Sequence, residues 1–379
     1  MRPERRVAPS LVVDARALLL GGLGRYLREV LGHLLSAPVA DRMVLLGQEP
    51  ALRDFLRGRA AAAPVEVVPH GGKLYSLRSQ GSWIRRRLSG RVPGGLAFLP
   101  HWDGPVVARA RRTVVTVHDL NHFRLADAFP PLRLAAAKAV LGRVLAGAAR
   151  IIVDSESTRR DLAEFFPGCD AKTRTVPLGV SEIFRPPGPG EKLPAGVREP
   201  FLLCVGNKKR HKNLTAAVEV LARLLPERPG LRLVVAGRTY PGWDAVLARA
   251  AALGSQVREA VVDLPVVPDD SLRVLYGRAE ALLFPSRYEG FGLPVLEAMA
   301  CGAPVVAAGA GSVPEVAGDA ALLFEPDDAA GMAEAVRRLM ADREFRGPLV
   351  DRGLRHAAGF TWGRTGRETA EVLREAAES

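Results

Sequence analysis

At 379 residues with 48% hydrophobic side chains, the chain has material for two domains of ordinary size, and no apolar run reaches the length of a membrane span. Three widely spaced cysteines, Cys169, Cys204 and Cys301, fit neither a disulfide framework nor a C-x-x-C metal pattern, and make a cytoplasmic protein the expectation. The net charge of +12 sits wholly in the first half: residues 1–186 hold 29 Lys+Arg against 16 Asp+Glu, a balance of +13, and residues 187–379 hold 24 against 25, a balance of −1.

Along the chain, short aliphatic runs alternate with longer helical patterns. The basic residues 1–10 lead straight into Leu11-Val12-Val13, unlike a secretory signal. Strands are expected over Leu11–Asp14, Met43–Leu46, Val65–Val68, Leu96–Phe98, Thr113–Thr116, Ile151–Val153 and Thr173–Val176. Helices are expected over Gly24–Leu35, Pro131–Ala146 and Ser157–Phe166. Arg185–Pro194 is rich in Pro and Gly and reads as a linker, dividing a domain of residues 1–186 from one of residues 187–359. Beyond it strands are expected over Phe201–Val205, Leu231–Ala236, Val261–Leu264, Ala281–Phe284, Val305–Ala307 and Ala321–Phe324, with a helix over the last residues, 360–379. Apolar strands between helices make an α/β protein of two parallel, doubly wound sheets. Such sheets bind ligands beyond the carboxyl ends of their strands, so the cleft between the domains is the expected active site.

Four segments carry candidate chemistry. After the first strand, Gly21-Gly22-Leu23-Gly24 lets backbone approach a ligand closely at Gly22, although a tight strand-to-helix turn explains the glycines about as well. At the end of the fifth strand, Thr116-Val117-His118-Asp119-Leu120 offers an imidazole that can hydrogen-bond a ligand hydroxyl, with Asp119 able to orient the ring or to contact an acceptor. His101 and Trp102 are candidates for the same acceptor side; His122 reads as structural. In the second half, Gly206-Asn207-Lys208-Lys209-Arg210-His211-Lys212-Asn213-Leu214 follows a strand and opens a helix, where four cations can neutralise a diphosphate. The fourth segment runs from Phe284 through Glu289-Gly290-Phe291-Gly292-Leu293-Pro294-Val295-Leu296-Glu297 to Gly302. Its glycines expose backbone N–H groups, its proline suits the first turn of a helix, and a helix N-terminus attracts phosphate. One carboxylate before that anion site and another on the helix it opens suit a ligand with hydroxyls at both ends and phosphates between. A nucleotide sugar is such a ligand.

This last stretch resembles the donor-site motif of the retaining group 1 (family 4) glycosyltransferases, in its E-x7-E spacing and in G-F-G-L-P between the carboxylates. The likeness continues through Gly302-Ala303-Pro304-Val305-Val306 and Pro314-Glu315-Val316-Ala317-Gly318. It implies the GT-B architecture, two Rossmann-like parallel-sheet domains facing across a cleft, with residues 1–186 as the acceptor domain, 187–359 as the nucleotide-sugar domain, and the 360–379 helix packing back on the first. It further implies that Glu297 binds ribose hydroxyls, Glu289 contacts sugar hydroxyls near the reacting carbon, and the N–H groups of Phe291, Gly292 and Leu293 hold sugar and phosphate. Lys212 maps onto the family's phosphate-binding lysine, within the loop of Gly206 and Asn207; His211 stands where an arginine is common. His118 falls beside donor sugar and acceptor, and Gly22 on the loop facing the donor. Catalysis is thus expected from His118, Lys212 and Glu289.

No D-x-D occurs, so charge compensation by Lys212 and helix N-termini, without a metal or any cofactor, is the expectation. The donor expected from the resemblance is of the GDP-mannose or UDP-hexose type, and Pro265, where a glycine is common in the family, leaves the base unread. The acceptor is a glycan or lipid-linked hydroxyl. Ser82-Trp83-Ile84-Arg85-Arg86-Arg87-Leu88 and the basic half suit peripheral contact with an anionic membrane. Ser155 or Ser157 can cap a helix, and Asp154 beside them is assigned no chemistry. Two rivals are a catalytically idle sugar-nucleotide binder, opposed by intact Glu289, Glu297 and Lys212, and a nucleic-acid-binding protein, opposed by 6% aromatics and no binding module.

Overall fold

The computed structural model describes residues 10–70, 95–103 and 112–378, so the Ser82–Leu88 patch lies outside the described residues. The chain divides into two compact units, one of Met1–Gly179 with Trp362–Ser379 and one of Val180–Thr361.

The first unit holds seven strands: β1 (Leu11–Asp14), β2 (Met43–Gly47), β3 (Val65–Pro69), β4 (Leu96–Leu99), β5 (Arg112–Val117), β6 (Arg150–Val153) and β7 (Thr173–Thr175). They form one sheet in the order β3-β2-β1-β4-β5-β6-β7, parallel at every pairing. Every residue of β1, β2 and β4 is buried, which is why their sequences run apolar without alternation. The helix Trp362–Glu378 buries Trp362, Thr365, Gly366, Thr369, Ala370, Leu373 and Ala376, a stripe at helical spacing. It packs on the helix Gly21–Ser36, where a Cβ on Gly366 would lie 2.5 Å from His33. Only glycine permits that approach.

The second unit holds six strands: β8 (Phe201–Val205), β9 (Arg232–Ala236), β10 (Val261–Leu264), β11 (Ala281–Phe284), β12 (Val305–Ala308) and β13 (Leu322–Phe324). Their order is β10-β9-β8-β11-β12-β13, again parallel throughout. Strand limits follow pairing as much as hydropathy. Ala308 joins β12 because it pairs with Phe324 of β13. Residues 180–186, placed in the first domain by the position of the linker, lie in the second unit. There the N–H of Val180 donates to the carbonyl of Phe360 at 2.9 Å, and the Phe184 ring packs edge-on against Tyr276.

Each sheet reverses its winding at one place, between β1 and β4 in the first unit and between β8 and β11 in the second. Crevices at such reversals, outside the carboxyl ends of the strands, are where doubly wound sheets bind ligands.

Candidate functional site

In the second unit the reversal brings the two sequence segments together. From β8 the chain enters Gly206 at φ +133 and returns through a single 3-10 turn, Arg210–Lys212, to the helix Leu214–Leu224. A Cβ on Gly206 would lie 3.4 Å from Nζ of Lys212, so the lysine lies over the loop's own glycine. From β11 the chain passes Ser286 to Glu289, and Gly292, at φ 102, caps the helix Leu293–Ala300 with Pro294 in its first turn. Oε1 of Glu289 then accepts from Nζ of Lys212 at 2.5 Å, with the two side chains 13% and 15% exposed. The N–H groups of Phe291, Gly292 and Leu293 enter none of the backbone hydrogen bonds among the described residues, as is usual for a helix's first donors. Asn207, in the loop after β8, is exposed.

The turn at Glu289 is braced from β12. Gly311, at φ +60, passes so close that a Cβ there would sit 2.6 Å from the carbonyl oxygen of Glu289. Ser312 donates from Oγ to the carbonyls of Glu289 at 3.1 Å and Phe291 at 2.7 Å. Neither residue stood out in the sequence; the run Gly309-Ala310-Gly311-Ser312 at a strand's carboxyl end was the available signal. Glu297, 5% exposed, accepts from the Tyr276 phenol at 2.9 Å.

The basic loop is less uniform than expected. Lys208 is not free for phosphate: its side chain is fully buried, bonded to the carbonyls of Gly237 and Leu264 at 2.8 Å each and paired with Asp263. Asp263 in turn accepts from Nε1 of Trp243 at 2.7 Å. Lys208 therefore ties together the carboxyl ends of β9 and β10, leaving Lys209 and Arg210 as the loop's exposed cations and Lys212 paired with Glu289. Asn213, at φ 51, donates to the carbonyl of Pro326 at 2.7 Å and fixes the start of the helix.

In the first unit, His118 follows β5 and Asp154 follows β6. Nδ1 of His118 lies 2.6 Å from Oδ2 of Asp154, and Nε2 lies 2.8 Å from the carbonyl oxygen of Pro100. Asp154, not Asp119, therefore orients the ring; Asp119 accepts the Asn121 N–H at 3.1 Å and closes the next turn. Burial disfavours the imidazolium, but the Asp154 carboxylate and the Pro100 carbonyl outweigh it and hold His118 above the ordinary histidine range. Both ring nitrogens are occupied within the protein. A sugar hydroxyl reaches this ring only by displacing one of those acceptors.

At the β1–β4 reversal, Asp14 and Arg16 form a buried pair, 2.8 Å from Nε to Oδ1 and 2.5 Å from Nη2 to Oδ2. Arg16 also donates to the Asp103 carbonyl at 2.8 Å. His101 is buried in the same cluster rather than open to an acceptor; its Nδ1 accepts the Asp103 N–H at 3.2 Å, and Nε2 lies 3.5 Å from Asp14. Burial, with the neighbouring Arg16 charge, lowers His101 to about 4, despite Asp14. Gly22 is exposed, and a Cβ there would meet only open space, so packing does not require the glycine. Among the described residues no group of three His, Cys, Asp or Glu is arranged to hold a metal ion.

Two parallel-sheet Rossmann-like units make up the GT-B type of fold, and the second carries an ion pair and helix-start N–H groups at its reversal. Residues 191–355 match the model of the glycosyl transferases group 1, and residues 20–183 that of glycosyltransferase family 4. The chain belongs to the group 1 glycosyltransferases. It is 30% identical to the O-antigen chain mannosyltransferase B of Escherichia coli, over 90% of this chain and 93% of that protein. It is 32% identical to a D-inositol 3-phosphate glycosyltransferase of Acidothermus cellulolyticus, over 94% and 86% respectively. Among solved structures, the sucrose-phosphate synthase of Thermosynechococcus elongatus shares the fold with a TM-score of 0.76 at 21% identity, over 98% of this chain and 99% of that one. The Anabaena protein HepE, solved with UDP-glucose, does so with a TM-score of 0.74 at 18% identity, over 97% and 99%.

Proposed function

We propose that the chain transfers a hexosyl group from a nucleoside diphosphate sugar to an acceptor hydroxyl, with retention of anomeric configuration and without a metal. The observation that carries this is the Lys212–Glu289 pair at the β8–β11 reversal, beside the N–H groups of Phe291, Gly292 and Leu293. Paired, the two charges neutralise each other, and a bound donor offers each a partner. Its phosphates suit Lys212 and the helix-start N–H groups; its sugar hydroxyls suit Glu289. Glu297 is assigned the ribose hydroxyls, and Gly206 and Asn207 the close backbone approach to the phosphates. In the first unit, His118 and Gly22 are assigned to the sugar and its acceptor.

As the glycosidic C–O bond breaks, charge gathers on the departing diphosphate, and Lys212 stabilises it there more than in the ground state. The acceptor oxygen bonds to the same carbon from the same face, and its proton passes to the leaving phosphate oxygen. A mannosyltransferase relative of matching length and a fold relative solved with UDP-glucose support GDP-mannose and UDP-hexoses as the donors to try first. The O-antigen relative supports a glycan or lipid-linked acceptor in surface glycan synthesis, and the +13 balance of residues 1–186 suits an anionic surface. Among the described residues no helix is long and apolar enough to cross a membrane.

The test is calorimetry with bare GDP and UDP beside a transfer assay whose product anomer is read by NMR. Glu297→Gln should weaken nucleoside diphosphate binding, because a carboxylate accepting two hydroxyls makes charge-assisted bonds. Glu289→Gln should leave that affinity nearly intact and lower turnover. Equal losses of diphosphate affinity in both variants, or an inverted product, count against the assignment.

A further inference from the structure

The helix Asp269–Arg278 carries a buried phenol to which the proposed chemistry gives no role. Tyr276 is 0% exposed, and its O–H donates to Oε2 of Glu297 at 2.9 Å. The segment that opens the second unit seats this helix at three points. Phe184 packs edge-on against the Tyr276 ring, with centroids 6.0 Å apart. Glu191 pairs with Arg273. Pro187 occupies the space a side chain on Gly277 would need, its Cδ only 2.2 Å from the would-be Cβ. The ring thus has little freedom, and its hydroxyl is delivered to Oε2 of Glu297.

We infer that Tyr276 is the positioning residue for Glu297, holding the carboxyl group in the plane and rotamer that a ribose diol requires. The inference rests on the proposed ribose role of Glu297. A glutamate side chain is among the costlier ones to immobilise, and a carboxylate with about four acceptor sites can take the Tyr276 hydroxyl and still accept two ribose hydroxyls when its rotamer is set. Fixing the group before the ligand arrives removes that ordering cost from binding. Tyr276 does not touch the ligand and acts only through Glu297.

The test is calorimetry on the full chain with GDP and UDP and with their 2′,3′-dideoxy forms. Tyr276→Phe keeps the ring and its packing on Phe184 while deleting the donor. It should weaken the ribose nucleotides about tenfold, the scale of a hydrogen bond to a charged group. It should leave the dideoxy forms unchanged, and in a Glu297→Gln background it should change nothing further. An equal loss on ribose and dideoxy nucleotides would mean general damage to the pocket and overturn the inference. So would unchanged ribose-nucleotide affinity in Tyr276→Phe beside a clear loss in Glu297→Gln. If Glu297→Gln is itself silent, the ribose assignment fails and the inference falls with it, a result distinct from the other two.

Discussion

Both units set an ion pair at the reversal of their strand order, and the two pairs differ in what surrounds them. Arg16 and Asp14 are 2% and 0% exposed, and Arg16 also holds the Asp103 carbonyl and lies 3.4 Å from the Asp103 carboxylate. Lys212 and Glu289 are 15% and 13% exposed, on loops held by positive-φ glycines beside uncommitted N–H groups. The first pair is satisfied within the protein on several sides, which suits it to fixing the loops after β1 and β4. The second holds two charges against each other with part of each left exposed, where the proposed donor would separate them. One topological address thus carries a saturated pair in one unit and, on the proposed function, a binding pair in the other.

Replacing each cation probes that distinction, and the largest effect is expected in the first unit. Arg16→Met leaves Asp14 and Asp103 without their buried partner and should cost about 4 kcal/mol of stability. Urea unfolding measures it; a variant as stable as the parent would erase the architectural reading. Lys212→Ala should instead lose about 3 kcal/mol of transition-state stabilisation, on the order of a hundredfold in kcat, with little change in the unfolding midpoint. A raised KM with kcat unchanged would leave Lys212 as a binding residue only.

The same contrast explains what the sequence made legible. The candidate second site is built largely from one local stretch, since Glu289, Gly292, Pro294 and Glu297 fall within a single turn and helix, so its motif and the resemblance it carries are readable in the sequence. The strands are legible because burial on both faces demands unbroken aliphatic runs. What escapes notice is contact between distant positions. Asp154 reaches His118 across 36 residues, Tyr276 reaches Glu297 across 21, and Asp263 reaches Lys208 across 55. Four cations in one loop look alike until Asp263, Trp243 and two carbonyls take one of them inward. His101 and Asp14 are likewise ordinary in sequence and become a cluster only when β1 and β4 pair.

That cluster also gives the first unit a source of acid sensitivity. With its folded value near 4 and an ordinary value of about 6.5, His101 takes up a proton in the unfolded chain that the folded chain refuses between those limits. Stability should therefore fall as pH drops through that window, by about 3 kcal/mol at pH 4. Asp14, held low by Arg16 against the effect of burial, adds to the loss at more acid pH. His101→Asn keeps an acceptor for the Asp103 N–H and removes the titration. It should flatten the dependence of unfolding free energy on pH between 7 and 4.5, and an unchanged slope would move the acid sensitivity elsewhere.

The smallest expected effect concerns the proposal that the second unit works without a metal. A departing diphosphate needs its growing charge compensated, and a divalent ion is one way to do so. This chain carries no D-x-D to hold such an ion; the proposed function gives that role to Lys212 and the N–H groups of Phe291, Gly292 and Leu293 instead. Preorganised donors of that kind need no ion to stabilise a leaving oxyanion. Turnover should therefore be unchanged in excess EDTA. Full loss, restored by Mg2+ or Mn2+, would transfer the compensating role to a metal, and the Lys212→Ala deficit should then shrink well below a hundredfold. The two measurements constrain each other: a metal-indifferent enzyme with a silent Lys212→Ala would leave the N–H groups of Phe291, Gly292 and Leu293 as the remaining partners of the leaving-group charge, and the second site's pair would have to be read like the first, as architecture.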